Sequence, residues 1–176
     1  MPQLWARVDD RLIHGQVVVG WRQHLRYQAI CVVDDAVRAD PVLCDVLRLA
    51  TPSGVALYIC TTEEAARCAT LAASQSDKTL LLLKSPQVAL RLLDEGLSLS
   101  QLNVGNLASA PGSVRVLGAI SLTRAHAAAL DALDARGVDI TFQSTPDEPA
   151  VPWETLRRRY FQEERKAARA QGRGGR

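Results

Sequence analysis

The sequence has no hydrophobic segment long enough to cross a membrane, and we expect no secretory signal. No run of eighteen or more apolar residues occurs among its 176 residues, whereas a membrane-spanning helix needs about 20. Arg7 and Asp9 lie where a signal peptide would need an apolar stretch. We therefore expect a cytoplasmic protein, and 47% apolar residues are enough for the core of one domain.

Motifs of metal and nucleotide binding are also absent. The four cysteines Cys31, Cys44, Cys60 and Cys68 form no C-x-x-C pair, and no histidine lies at zinc-finger distance from them. We interpret them as reduced, partly buried thiols that pack like small hydrophobic side chains. The sequence also contains no G-x-x-x-x-G-K and no G-x-G-x-x-G. We therefore expect neither a metal site nor a cofactor.

Charge is unevenly distributed along the chain. Residues 1–153 have a net charge of −3, whereas residues 154–176 have a net charge of +5. Close to this change in charge we divide the chain into two parts. Residues 1–152 form a domain, and residues 153–176 form a basic C-terminal helix with a disordered GRGGR end. A solvated helix face is the simplest role for the basic residues, and contact with anionic lipid or an acidic partner is the alternative. We expect no nucleic-acid binding, because a short basic tail gives little more than salt-dependent attraction.

Short aliphatic runs alternate with helical patterns from Leu4 to Gln143, which is typical of repeated βαβ units. Several runs, such as Leu80–Leu83, are apolar at successive positions, so we expect helices on both faces of the sheet. The predicted fold is a doubly wound α/β domain with a mainly parallel sheet of about seven strands. The predicted strands are Leu4–Val8, Ala29–Val33, Val55–Cys60, Thr79–Leu83, Gln101–Val104, Arg115–Ile120 and Asp139–Phe142.

Helix boundaries are indicated by capping residues and by the spacing of apolar residues. The first helix is predicted from about Gly15 to Arg26, with Val17 and Trp21 on its buried side. A final helix is predicted over Glu154–Gln171. Other boundaries are indicated by Asp40 and by the pair Thr61 and Glu64 at helix starts, and by Gly96 and Gly137 at helix ends.

The loop between the first strand and the first helix contains the densest group of chemically active residues. Residues 7–14 include two arginines, two aspartates and a histidine, and ligands of open α/β sheets bind at the carboxyl ends of the strands. His14 is placed at the start of the helix, where free N–H groups favour a phosphoryl group and disfavour imidazolium. We therefore expect His14 to be a neutral nucleophile, although a hydrogen-bonded structural histidine is the commoner case.

The neighbours of this histidine suit phosphoryl transfer, which depends on positioning and charge stabilisation. Arg11 can pair with phosphate oxygens through its planar guanidinium group. Asp9 or Asp10 can orient the ring by accepting its N–H, and the other can hold Arg11. Gly15 leaves the approach of a donor open, and the backbone of Gly15 and Gln16 would receive the anion.

Other polar residues at strand ends have simpler explanations beside a functional one. Asn103 and Gly105 either line the same pocket or form a turn. The acidic pair Asp34-Asp35 is interpreted as a turn or cap, because no third acidic ligand accompanies it. The two remaining histidines, His24 and His126, are expected on helix surfaces or at helix ends.

The eleven residues RVDDRLIHGQV at positions 7–17 closely resemble the signature of the IIB components of the mannose, fructose and sorbose family of sugar phosphotransferase systems. The resemblance covers roughly residues 3–145. It continues in the segments 32–35, 50–55, 80–86 and 102–105.

The resemblance implies a phosphocarrier with a mainly parallel seven-stranded sheet. In such a protein His14 would receive a phosphoryl group from the phosphohistidine of a IIA partner and pass it to a sugar bound by membrane IIC/IID partners. Arg11 would contact the phosphoryl group, and Nδ1 would be the accepting nitrogen. The protein would be cytoplasmic and would associate peripherally with the permease. The sugar and the oligomeric state, including a homo-oligomer, are left open.

The sequence departs from the family pattern in two places. Asn106 stands where members commonly have glycine, and since asparagine tolerates a left-handed backbone we expect the turn to survive. The arginine-rich end from about Arg157 differs from the usual ending. It motivates a second hypothesis, a regulatory phosphoacceptor whose His14 phosphorylation controls a partner without sugar transport. A third hypothesis, a structural interaction module, requires the whole loop to be incidental.

Overall fold

The computed structural model describes residues 3–173, and the side chains of residues 3–166. Its strands are β1 (Gln3–Asp9), β2 (Ala29–Val33), β3 (Ala56–Cys60), β4 (Lys78–Leu83), β5 (Gln101–Asn106), β6 (Val114–Leu117), β7 (Ile120–Leu122), β8 (Asp139–Phe142) and β9 (Val151–Pro152). Helix α1 is a π-helical segment, Gln16–Trp21, that continues as the α-helical turn Arg22–Leu25. The other helices are α2 (Asp35–Ala39), α3 (Pro41–Ala50), α4 (Ala65–Gln75), α5 (Pro86–Asp94), α6 (Arg124–Asp134) and α7 (Trp153–Arg173).

Seven strands form one sheet in the order β3-β2-β4-β1-β5-β8-β9. Every pair is parallel except β8 with β9. The chain passes from β1 to β2 and β3 on one side, returns through β4, and continues as β5 on the other side of β1. Ligand crevices of open α/β sheets lie where the strand order reverses in this way. The predicted doubly wound, mainly parallel α/β fold is confirmed, and its reversal point lies beside β1.

Alternate residues of the central strands point to opposite faces of the sheet. Leu80 and Leu82 of β4 pack with residues of α1, α2 and α3 on one face. Leu81 and Leu83 pack with residues of α4, α5, α6 and α7 on the other face. All four leucines are fully buried, which explains the continuous apolar run in the sequence.

The prediction of a sheet strand over 115–120 is wrong. These residues belong to a separate antiparallel pair, β6 and β7, and the chain reverses at Gly118, which has a φ of +46°. Val116 and Ile120 are fully buried, so the pair has the apolar pattern of a single strand. The seventh place in the main sheet is taken by β9.

The predicted helix boundaries agree with the structure. Asp40 accepts hydrogen bonds from two backbone N–H groups at the start of α3. Thr61 and Glu64 exchange the two hydrogen bonds of a capping box, although the α-helical residues of α4 begin only at Ala65. Gly96 and Gly137 follow α5 and α6 with φ values of +90° and +82°, a conformation that favours glycine.

The C-terminal helix α7 packs against the sheet domain. Trp153 and Tyr160 are buried in the same core as α4, α5 and α6, and the ring of Trp153 stacks on Phe142 with 5.7 Å between centroids. The disordered end predicted from residue 172 overlaps the last two residues of this helix, and 174–176 lie outside the described residues. Within residues 3–173, no helix combines the length and the apolar composition needed to cross a membrane.

Candidate functional site

The loop after β1 places His14 at the carboxyl edge of the sheet. Leu12 N donates to Asp9 O at 3.0 Å, and Leu12 has a left-handed backbone with a φ of +57°. This conformation costs a leucine about 1–2 kcal/mol, and such strain often occurs at functional sites. The Leu12 side chain is only 4% exposed and packs in the core beside α1. Burial of this side chain therefore holds the turn that presents His14.

The imidazole of His14 is bonded to the carboxylate of Asp9. His14 Nε2 lies 2.9 Å from Asp9 Oδ2, and the Asp9 side chain is fully buried while 17% of the His14 side chain is exposed. Burial raises the pKa of Asp9. The hydrogen bond from His14 and the charges of Arg7 and Arg11 together lower it by a larger amount, so the pKa lies below its ordinary value. An ionised carboxylate only accepts hydrogen bonds. Nε2 therefore carries a proton, and in the neutral ring the lone pair is on Nδ1.

The buried cation beside Asp9 is Arg7, whose side chain is fully buried. Its Nη2 donates to Asp9 Oδ2 and to Ser144 O, at 3.0 Å each. Its Nη1 donates to Gln143 O at 3.0 Å and to Asn103 Oδ1. Burial lowers the pKa of Arg7 and the charge of Asp9 opposes this, but arginine keeps its proton in proteins. Arg7 and Asp9 thus form a buried ion pair directly behind His14.

Two other residues enclose the guanidinium group of Arg7. The Arg7 Cζ atom lies 4.9 Å from the centre of the Trp21 ring, a cation–π contact. Trp21 Nε1 in turn donates to Ser144 O at 3.1 Å. On the β5 side the guanidinium lies directly against Gly105, where a Cβ atom would overlap it. Asn103 and Gly105 are therefore buried parts of β5 that hold Arg7, and neither forms a turn.

Arg11 lies on the exposed side of the same carboxylate. Its backbone N donates to Asp9 Oδ1 at 3.2 Å, and its Nε lies 3.5 Å from that oxygen. Its Nη2 donates to Gln16 Oε1 at 2.8 Å, and 46% of its side chain is exposed. Asp9 therefore contacts both His14 and Arg11, whereas the sequence predicted that two aspartates would divide these contacts.

Asp10 does not contact Arg11, so that part of the prediction is wrong. Asp10 accepts a hydrogen bond from Asn106 Nδ2 and another from Ala108 N, the latter at 2.7 Å. Asn106 lies within β5 and is not among the described residues with a positive φ. The expected left-handed turn is thus absent there, and the asparagine instead ties the end of β5 to the loop after β1.

The start of α1 provides backbone donors beside His14. The first backbone bond of this helix runs from Val18 N to His14 O at 3.0 Å. The N–H groups that precede it, those of Gly15, Gln16 and Val17, are the ones that a helix leaves without an internal partner. Gly15 is exposed, and no atom lies within 4 Å of the Cβ it would have. An anion on the His14 ring would meet these donors and the positive end of the helix.

The remaining candidates have structural roles, as predicted. His24 is exposed on α1. His126 Nδ1 accepts from Thr123 N at 3.3 Å at the start of α6. Asp34 caps α2 by accepting from Val37 N, and Asp35 accepts from Thr62 N.

The sequence interpretation missed the role of Arg7 and Trp21. A signal was present, because an arginine stood inside an otherwise apolar strand with an aspartate two residues later. Residues two apart in a strand face the same side. The carbonyl groups of Gln143 and Ser144 reach Arg7 only through the tertiary fold, so no local pattern indicates them.

Comparison with known proteins identifies the family. Residues 4–171 match the family model described as "PTS system sorbose subfamily IIB component". The chain belongs to this family of phosphotransferase-system IIB components. Membership makes the protein a phosphocarrier component of a sugar phosphotransferase system.

This IIB component resembles curated proteins with several sugar names. It is 33% identical over 146 residues to the N-acetylgalactosamine-specific phosphotransferase enzyme IIB component 2 of Escherichia coli strain K12, covering 83% of this chain and 92% of that protein. It is 31% identical to the mannose-specific EIIAB component of the same strain, covering 83% of this chain but 45% of that protein. The IIB component therefore spans less than half the length of that relative.

Solved structures have the same fold. The IIBSor domain of the sorbose permease from Klebsiella pneumoniae is 31% identical, with a TM-score of 0.78 over 85% of this chain and 92% of that one. The manxB protein from Thermoanaerobacter tengcongensis is 29% identical, with a TM-score of 0.82 over 92% of this chain and 98% of that one. The α/β architecture of this IIB component is thus that of its relatives.

Proposed function

We propose that the protein accepts a phosphoryl group on His14 Nδ1 from the phosphohistidine of a IIA partner and passes it to a sugar. The observation that carries this proposal is the 2.9 Å contact between His14 Nε2 and the buried carboxylate of Asp9. A carboxylate on one ring nitrogen fixes the tautomer and leaves the other nitrogen as the nucleophile. Family membership supports phosphoryl transfer as the reaction.

In the first step the lone pair of His14 Nδ1 attacks the phosphorus atom of the donor. A P–N bond forms on His14 as the P–N bond of the donor breaks, and the donor imidazole keeps that electron pair. The His14 ring gains positive charge while Nε2 keeps its proton. Asp9 stabilises this charge through its hydrogen bond, in the way that a buried carboxylate stabilises an imidazolium.

Arg7 has a supporting role in this step. Its ion pair with Asp9 keeps the carboxylate ionised in a buried position. All four of its hydrogen bonds from the two Nη atoms go to protein oxygens, and its side chain is fully buried. Arg7 is therefore a positioning residue and would not touch the phosphoryl group.

Arg11 is the cation that is free to move onto the phosphoryl group. Nearly half of its side chain is exposed, and its partner Gln16 is also exposed. Exchanging the Gln16 oxygen for a phosphoryl oxygen replaces a neutral acceptor with a charged one, which strengthens the hydrogen bond. The N–H groups at the start of α1 would receive the other oxygens.

In the second step a sugar hydroxyl attacks the phosphorus atom of phosphorylated His14. A P–O bond forms, the P–N bond returns its electrons to Nδ1, and the hydroxyl proton leaves to a base on the acceptor side or to solvent. We propose a membrane IIC/IID permease as the partner that presents the sugar, at the cytoplasmic face of the membrane. The relatives are named for mannose, sorbose and N-acetylgalactosamine, so the acceptor class is a hexose or an N-acetylhexosamine.

The test uses purified protein and a phosphorylated IIA donor, followed by intact-mass measurement in alkali. One phosphoryl adduct is expected on the wild type and on His24→Ala, which removes an exposed histidine outside the site, but none on His14→Ala. The adduct should be stable in alkali and lost in acid. An adduct on His14→Ala would refute the proposal. The regulatory phosphoacceptor would be favoured if His14 becomes phosphorylated but no hexose receives the phosphoryl group when membranes containing the permease are added.

A further inference from the structure

Three of the four cysteines meet at one point although they come from three different elements. Cys31 lies in β2, Cys60 at the end of β3 and Cys68 in α4. The Sγ atoms of Cys31 and Cys68 are 3.5 Å apart, and those of Cys31 and Cys60 are 3.8 Å apart. All three sulfur atoms lie within 4.8 Å of one another, and all three residues are free thiols. Their sequence spacing gave no sign of this cluster, because the sheet brings them together.

These separations suit a single thiophilic metal ion. Zinc binds cysteine sulfur at about 2.3 Å, so three sulfur atoms around one such ion stand about 3.8–4.0 Å apart. The three cysteines are therefore near the positions that a common ion requires. The Cys31–Cys68 separation must widen by only a few tenths of an ångström to reach this range, and the Cys60–Cys68 separation is at most 4.8 Å.

The cluster can be reached from solvent. A surface cavity of about 280 Å³ is lined by Cys60 and Cys68, together with Arg38, Glu64 and Arg67. Cys31 and Cys60 are buried, whereas Cys68 is partly exposed. The cavity thus lies beside two of the three cysteines, and an ion or a water ligand would approach the cluster from this side.

The side chains around the cavity include positive charge. Three thiolates around a divalent ion leave a net charge of −1, and Arg38 and Arg67 line the cavity beside it. Glu64 is not among the groups close enough to act as a ligand, and it lies 3.7 Å from Arg38 in an ion pair.

We propose that Cys31, Cys60 and Cys68 form a binding site for a thiophilic cation of the zinc class, with three sulfur ligands and a fourth position that faces the cavity. The site is separate from the phosphocarrier chemistry and does not depend on it. Binding forms three metal–sulfur bonds and releases the three thiol protons to solvent, without oxidation or reduction. A bound ion would tie β2, β3 and α4 together.

The test measures metal binding to the full chain after treatment with reductant and chelator. Cd²⁺ serves as a probe because its thiolate complexes absorb in the ultraviolet, and Zn²⁺ is then added in competition. One equivalent of Cd²⁺ should bind with a thiolate charge-transfer band, and an excess of Zn²⁺ should lower the apparent affinity for Cd²⁺, because thiolates favour the softer ion. The Zn²⁺ complex should also have a higher melting temperature and a slower alkylation of Cys68 than the metal-free protein.

Two cysteine variants provide the comparison. Cys68→Ser removes a partly exposed ligand and should weaken binding by more than about 100-fold, since even the loss of an outer-shell partner costs 10–100-fold. Cys44→Ser removes a buried thiol that contacts Val37 O outside the cluster and should bind as the wild type does. Circular dichroism checks that both variants are folded.

Three outcomes would overturn the proposal. The first is the absence of a charge-transfer band in the reduced wild type, which does not depend on any variant. The second is binding of equal strength in Cys68→Ser. The third is a reduced protein that does not bind the metal ion and instead forms a Cys31–Cys68 disulfide in air.

Discussion

The guanidinium carbon of Arg7 lies 1.8 Å from the point that a Cβ atom at Gly105 would occupy. The two Nη atoms of Arg7 make four hydrogen bonds, so the guanidinium cannot move aside without losing them. Gly105 is not among the residues with positive φ. Glycine is thus required at position 105 because the guanidinium group of Arg7, which pairs with Asp9, occupies the place of a Cβ atom.

Gly105→Ala should destabilise the protein by about 3 kcal/mol or more, because a displaced Arg7 leaves buried charged groups without partners. Urea unfolding measures this change. Gly15→Ala is the matched control, since no atom lies within 4 Å of its Cβ position and its φ is −49°. Equal stability of the two variants would show that Arg7 is not held as described.

Asp9→Asn should slow phosphorylation of the protein by about 100-fold or more, in line with the usual contribution of a positioned acid–base group. The asparagine amide can donate to Nε2, which moves the ring proton to Nδ1 and removes the attacking lone pair. The initial rate of adduct formation with phosphorylated IIA measures the effect.

Asp10→Asn is the matched control for that measurement. Asp10 contacts Asn106 and Ala108 N and makes no hydrogen bond to His14. Its substitution should lower the rate much less than Asp9→Asn does. A similar loss of phosphorylation rate in both variants would mean that the rate depends on the total charge of the loop and does not depend on the contact between Asp9 and His14.

Arg7→Met should cost about 3–5 kcal/mol of unfolding free energy, because it leaves the carboxylate of Asp9 buried without its cation. It should also raise the pKa of Asp9, since the charge of Arg7 lowers it. Arg91→Met removes a surface ion pair with Glu95 and should cost less than about 1 kcal/mol. Denaturant titration of both variants decides whether the buried pair differs from an ordinary surface pair.

Those helices and strands could be predicted whose positions are indicated by neighbouring residues in the sequence. The apolar run Leu80–Leu83 indicated a strand with both faces covered, and Asp40 marked a helix start, because both signals depend on neighbouring residues. The segment 115–120 was misassigned since a tight hairpin and a single strand can have the same apolar pattern. Only the turn at Gly118 distinguishes them.

The candidate site was predictable to the extent that it is local in sequence. The contact between Asp9 and His14 spans five residues, and the loop that makes it could be recognised. The residues behind Asp9 come from β5, α1 and the segment after β8, so Asn103, Trp21 and Ser144 meet Arg7 only in three dimensions. Asn106 is predicted in a turn because asparagine tolerates a left-handed backbone, and its actual partner, Asp10, could not be predicted because it is 96 residues away.

We expect the free energy of unfolding to fall at alkaline pH because of the buried side chain of Tyr27. Its hydroxyl donates to Val17 O of α1 at 2.9 Å, and burial raises the pKa of Tyr27 from 10.0 to about 12. The folded protein therefore holds this proton more tightly than the unfolded chain does. The resulting stabilisation, on the order of 2–3 kcal/mol, is complete below pH 10 and disappears as the pH rises to 12.

Urea unfolding between pH 8 and pH 12 measures this dependence. The advantage of the wild type over Tyr27→Phe should shrink steadily above pH 10. Tyr58→Phe, which removes a partly exposed tyrosine hydroxyl bonded to Gln75, should show the pH dependence of the wild type. A constant difference between wild type and Tyr27→Phe would contradict the prediction.

The most direct measurement is a long-range proton–nitrogen NMR correlation on protein that contains ¹⁵N-histidine and has been phosphorylated by a IIA donor. The 2.9 Å contact between Nε2 and Asp9 predicts that phosphorus is bonded to Nδ1 of His14 and that Nε2 keeps its proton. Phosphorus on Nε2, or on any residue other than His14, would contradict the proposed mechanism.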